Sequence, residues 1–197
     1  MIMSSEIDEN MVWDVTTPPA IEPVSLEEFK MFARIDGNDE DSQLLSFLIT
    51  ARSLIEKYLN RALIEQTITL KMDSWPEKEV IELPRPPLIS ITAVETLNES
   101  DVATVYSSSN YYIIKNKEPG LLVLKFGVTP PQNTERYYGG YQVRYKAGYG
   151  STSASVPNVL KDCIKQWAMT MYENRAIVEE PPAEVKALLS NYRIYYI

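Results

Sequence analysis

Between Asp41 and Leu59 the chain reads DSQLLSFLITARSLIEKYL. Leu44, Leu45, Leu48, Ile49, Arg52, Ile55 and Leu59 recur at the three-and-four spacing that lines side chains along one face of an α-helix. The spacing predicts a long core helix whose stripe holds one polar member, Arg52. The run GNDEDS at 37–42 offers N-cap candidates and carboxylates near the positive end of the helix dipole, and Asn60 marks the exit. A second stripe, Leu160, Cys163, Ile164, Trp167, Ala168 and Met171, predicts another long helix that packs on the first, with Ser155 as cap and Pro157 in its first turn. Leu44, Leu48, Ile55, Leu59, Leu160, Ile164, Trp167 and Met171 are the expected centre of that core. A short helix is predicted over 26–32 from the capping-box spacing of Ser25 and Glu28. Another is predicted over 183–190, with Val185, Leu188 and Leu189 inward.

Between the long helices the period falls to two. Ile64, Gln66, Ile68, Leu70 and Met72 alternate with Glu65, Thr67, Thr69 and Lys71, which predicts a strand with one buried face. Further strands are expected at 80–83, 90–98, 111–115, 121–126 and 141–147, with Pro84, Pro86 and Pro87 a rigid link. Loops 99–110 and 127–140, rich in Ser, Asn, Pro and Gly, are expected to be exposed tips. The predicted class is α+β: a helical framework of two long helices plus short N- and C-terminal helices, carrying an inserted antiparallel β subdomain. The expected division is a flexible N-terminal arm at 1–23, helical parts at 24–61 and 151–190, a β insert at 62–150, and a tail at 191–197.

Charge and chemistry narrow the function. The 197 residues carry a net charge of -8 and no histidine. Residues 1–60 hold twelve acids against four bases, and 61–197 hold fifteen of each, so the whole excess is N-terminal. With no basic stripe, tight nucleic-acid binding is not expected. The missing histidine removes Ser-His-Asp and Cys-His sites and most zinc sites. Cys163, the one cysteine, sits on an apolar helix stripe and is expected to be structural. No glycine pattern fits a nucleotide loop, and Asp39, Glu40 and Asp41 lack calcium-loop spacing. No catalytic residue, cofactor or metal is predicted. An acidic start and no long apolar run predict a soluble protein without a cleaved leader and with no membrane partner. The thirteen tyrosines and scattered acids leave one alternative, a carboxylate-dependent hydrolase or a tyrosine-lined carbohydrate-binding module.

The order of elements carries more. The pieces VSLEEFKMFARID at 24–36, DEDSQLL at 39–45, ITARSLIEKYLNRALIEQ at 49–66, LPRPPL at 83–88, YKAGYG at 145–150, VPNVLK at 156–161 and YENR at 172–175 together resemble the head-tail connector (adaptor) proteins of long-tailed phages and prophages, in the branch with a β insert. The resemblance covers roughly residues 24–193. It implies a non-enzymatic structural virion protein: a homo-oligomeric ring of about twelve copies under the portal protein. In that arrangement genome DNA passes through without sequence-specific binding, and the location is the virion neck, with host cytoplasm during assembly. The chain departs from the family in its long acidic arm and aromatic end. Within 176–197, Tyr192, Arg193, Ile194, Tyr195, Tyr196 and Ile197 are candidates for docking on the portal, since exposed aromatics at a chain end suit interface anchors. The alternative is that the tail folds back on its own core. Loops 99–110 and 127–140 are the candidates for contact with the next neck or tail-completion protein.

Overall fold

The computed structural model describes residues 11–132 and 136–195. Among them are four α-helices and two antiparallel sheets, a mixed α/β fold. Helix α1 (Leu26–Ala33) begins in the anticipated capping box, with the Ser25 hydroxyl accepting from Glu28 N and the Glu28 carboxylate accepting from Ser25 N. Helix α2 (Asp41–Leu59) and helix α3 (Asn158–Asn174) pack together, and α1 and α4 (Ala183–Leu189) close over them. Leu44, Leu48, Ile55, Leu59, Leu160, Ile164, Trp167 and Met171 are all buried in this layer. Trp167 satisfies its indole by donating to Val178 O at 2.8 Å. Burial of one such large apolar side chain stabilises the fold by about 1.5–3 kcal/mol.

The five-stranded sheet has the order β1 (Met11–Thr17), β2 (Gln66–Met72), β8 (Tyr141–Ala147), β4 (Leu88–Leu97), β5 (Ala103–Val105). A three-stranded sheet, β3 (Val80–Leu83), β7 (Gly120–Leu124), β6 (Tyr111–Ile114), packs on it. Ile68, Leu70, Met72, Ile81, Leu122, Val143 and Tyr145 form their shared core. The chain crosses between helices and sheets at 60–65 and 147–156, and the two crossings bond to each other. Tyr149 N donates to Leu63 O and Glu65 N to Gly150 O, while Ala62 N and Gly148 N donate to Pro86 O and Pro87 O. Gly148 has φ +129°, and a Cβ there would lie 2.5 Å from Ile64 C and O. Glycine is required where the crossings touch.

Several local expectations change. Residues 11–17 of the arm form β1, in register with β2 from Met11 opposite Met72. The pattern was masked because an edge strand buries only Met11 and Trp13, and those only partly. Three residues of loop 99–110 form β5, and β4 starts at Leu88, its alternation broken by two register shifts. Helix α3 is entered from Pro157 with no side-chain cap, because Ser155 belongs to a preceding 3-10 turn. Leu45, Ile49 and Leu188 lie at the margins of their stripes and are exposed, whereas Phe47 and Ala51 go inward. None of the described helices is long and apolar enough to cross a membrane.

Candidate docking surfaces

The tail ties back to the end of α2. Ile194 N donates to Leu59 O at 2.9 Å, and Asn60 Nδ2 donates to Ile194 O at 3.1 Å. Asn60 can do so because it ends α2 in the left-handed conformation, φ 55°, which asparagine tolerates. Arg61 Nε donates to Tyr192 O at 2.7 Å, and the same guanidinium pairs with Glu118 and lies over the Tyr149 ring. Burial, and less strongly Glu118 and Tyr192, push the Tyr149 phenol up against the opposing pull of Arg61. Arg193 lies between the Tyr58 and Tyr195 rings, 4.7 and 5.1 Å from their centroids. Of the six candidates, Tyr192 and Ile194 are thus half-buried at the root, while Arg193 and Tyr195 are exposed. Tyr196 and Ile197 lie outside the described residues.

A second surface gathers at the far end of the sheets, where Met72 faces Tyr141. Phe126 is fully exposed there, and Tyr137 and Tyr138 are exposed and meet edge to face at 4.9 Å. Loop to loop, Arg136 pairs with Asp101, and the Tyr106 hydroxyl donates to Thr129 O at 2.7 Å. The described parts of the two predicted loops therefore form one tip, residues 133–135 lying outside the described residues.

Elsewhere the groups with chemical potential are structural. Arg52 is held by Glu22 at 2.8 Å and by Glu56 at 2.9 Å. Glu56 also accepts from Leu63 N at 2.7 Å and Gln66 Nε2 at 2.9 Å, which fastens α2 to the start of β2. Burial raises the Glu56 carboxyl despite the opposing pull of Arg52. Burial draws the Arg52 guanidinium down, but its two carboxylate partners outweigh this and its pKa is raised. Burial, with Asp162 nearby, pushes the Cys163 thiol up to about 11. Asp41 receives Lys30 at 2.7 Å, and Glu40 accepts from the Tyr172 hydroxyl at 2.6 Å, so these acids staple helices. The tyrosines are dispersed: Tyr145 is buried and donates to Pro84 O, while Tyr106 and Tyr141 flank Trp75 and Tyr111 stacks on Tyr106. On the outer face of the five-stranded sheet the cations meet acids, Lys71 with Asp14 at 3.8 Å, Arg144 with Glu95 at 2.8 Å and Lys146 with Glu65 at 2.7 Å. Cations so matched form no phosphate-binding stripe.

The model of the family described as head completion protein matches residues 22–195. The chain belongs to that family. As a head completion protein it has a structural head-tail connector role rather than an enzymatic one. The hydrolase and carbohydrate-binding alternative has no support beside that membership. Solved structures similar to this head completion protein include the neck of an empty gene transfer agent (GTA) particle computed with C6 symmetry, at TM-score 0.80. The virion of the native particle follows at 0.78, and the native neck computed with C12 symmetry at 0.77. Each is 22% identical, covering 94% of this chain and 97% of the other. At that identity the likeness speaks for the fold. No curated protein matches the chain.

Proposed function

We propose that this head completion protein forms a closed ring of about twelve copies in the virion neck, seated beneath the portal after assembly in the host cytoplasm. The finer division belongs to the same proposal: a helical framework holds the ring, and the β insert of 62–150 reaches toward the next neck or tail-completion protein with the Phe126, Tyr137 and Tyr138 tip. The GTA necks of the same fold, computed with C6 and C12 symmetry, support the copy number. Genome DNA passes through without sequence-specific binding, in keeping with the matched charges on the sheet face.

The observation that carries the portal contact is the fixed root of the tail. Tyr192 and Ile194 are bonded to Arg61, Asn60 and Leu59, so Tyr195 leaves the body from a set position and is 66% exposed. A pre-ordered root lowers the entropy lost when an aromatic anchor docks. The test is co-sedimentation with the portal protein of the same genome, followed by negative-stain imaging, for the full chain and for a chain lacking 195–197. A ring on the portal for the full chain and none for the truncated one, at unchanged melting temperature, is expected. Equal binding by both chains would refute the tail contact, and no binding by the full chain would refute the portal placement.

A further inference from the structure

The end of α2 and the root of the tail bring together a cation that the fold leaves unspent. Tyr58 stands in the last turn of α2, half-buried against the helical core. Arg193 lies over its ring at 4.7 Å and over the Tyr195 ring at 5.1 Å. The backbone on either side is fixed: Tyr192 O accepts from Arg61, and Ile194 bonds through its N–H and its carbonyl to Leu59 and Asn60. Arg193 is therefore exposed but held. Ring contact uses its charge and none of its side-chain N–H donors. Among the described residues no acceptor meets those donors and no carboxylate pairs with the charge. By contrast Arg61, at the same root, is met by Glu118, and Arg52 by Glu22 and Glu56. A guanidinium so placed is ordered in advance for a planar anion that accepts two N–H bonds at once.

We infer that Arg193 takes a carboxylate of the portal protein, an Asp or Glu side chain met beside Tyr195, and that this pair sets which portal the chain accepts. The inference rests on the portal reading above, whose contact residue Tyr195 is one of the two rings that hold the guanidinium. The surroundings favour a carboxylate over a phosphate of the genome. Binding along a nucleic-acid backbone takes several free cations in a row. At this root Arg61 is already engaged by Glu118 and Tyr192 O, which leaves Arg193 with Lys57 of the last turn of α2. The two rings replace part of the water around Arg193 and limit its rotamers before any partner arrives. Less desolvation and less ordering then remain when the pair forms. A partner without the acid would cover the cation and leave it unmet, and that penalty is what discriminates.

The test titrates the full chain, wild type and variants, onto the assembled portal of the same genome by co-sedimentation. The complexes are then treated with a water-soluble carbodiimide, which joins an amine to a carboxylate where the two touch. Arg193→Glu is expected to weaken binding about thirtyfold or more at unchanged melting temperature. Arg193→Lys keeps the charge but loses the two-pronged geometry, and weakens binding less. In that complex the carbodiimide is expected to link position 193 to one Asp or Glu of the portal, identified by mass spectrometry. If Arg193→Glu melts lower, that link alone decides. Equal binding by wild type and Arg193→Glu overturns the inference and leaves the portal reading standing. So does a link from position 193 only to acids of its own or another copy, or no link at all. Binding of a short DNA duplex that Arg193→Glu abolishes, with portal binding unchanged, overturns it in favour of the genome. A wild-type chain that does not sediment with the portal refutes the portal reading itself.

Discussion

Replacing Arg52 by Met tests how α2 is fastened to its surroundings. The guanidinium holds Glu22 from the segment before α1 and Glu56 one turn along α2. The Glu56 side chain is only 7% exposed and keeps two donors, Leu63 N and Gln66 Nε2, and the weaker pull of Arg85, but loses its directly bonded cation. Removing one partner of a buried pair costs about 3–5 kcal/mol. The two remaining donors place the expected loss near the lower end, about 3 kcal/mol, and Glu22, more accessible, adds little. Domains are stable by about 5–15 kcal/mol, so the loss is readily seen in urea unfolding. The pH dependence identifies its origin. The Glu56 carboxyl is already raised above its ordinary 4.5 by burial, and without Arg52 it rises further. The folded variant then keeps a proton that the unfolded chain has lost, so its stability falls as pH climbs from 4.5 through the raised value. The deficit against wild type is therefore smaller at pH 5 than at pH 8, and Arg52→Met with Glu56→Gln recovers most of it. A loss below about 1 kcal/mol, or one equal at both pH values, would refute the account.

Three further outcomes are expected. Ser25→Ala removes the capping box of α1 and lowers stability by about 1 kcal/mol in the same unfolding experiment. Gly148→Ala combines φ +129° with a Cβ 2.5 Å from the Ile64 carbonyl and costs more than about 2 kcal/mol; a smaller loss would show that the crossing yields. Cys163, its thiol raised to about 11, resists Ellman's reagent at pH 8 in the folded protein and reacts once urea unfolds it. Because the folded form keeps the thiol proton longer, this group's share of stability falls as pH rises from about 9 to 11, a slope that Cys163→Ala abolishes.

The helical layer was legible because periodicity there reports burial directly: Leu160, Cys163, Ile164, Trp167 and Met171 stand on one face in sequence and in structure. Margins of a stripe are less legible. Leu45 and Ile49 follow the spacing as well as Leu44 and Leu48 do, yet lie on the exposed flank of α2. Edge strands are hidden because β1 and β5 owe their place to backbone pairing with β2 and β4, which leaves little trace in side-chain polarity. The partners of Arg52 were also beyond sequence reasoning. Glu56 at i+4 was visible, but Glu22, thirty residues away, meets it only after folding. Of the docking candidates, the aromatic tail and the two loops were legible from composition. The root made by Asn60 and Arg61 was not, since Asn60 reads only as a helix stop and nothing in the local pattern singles out Arg61.

The paired crossings between helices and sheets have a mechanical consequence. A single-strand linker would let the sheets swing, but here 62–65 and 147–150 brace each other and lean on Pro86 and Pro87. A push on the Phe126 tip therefore turns the molecule as a lever, and Glu118, clasped by the same Arg61 that holds the tail, carries that torque to the opposite end. In the ring proposed above, a partner that met the tip would load the root of the tail without any segment unfolding.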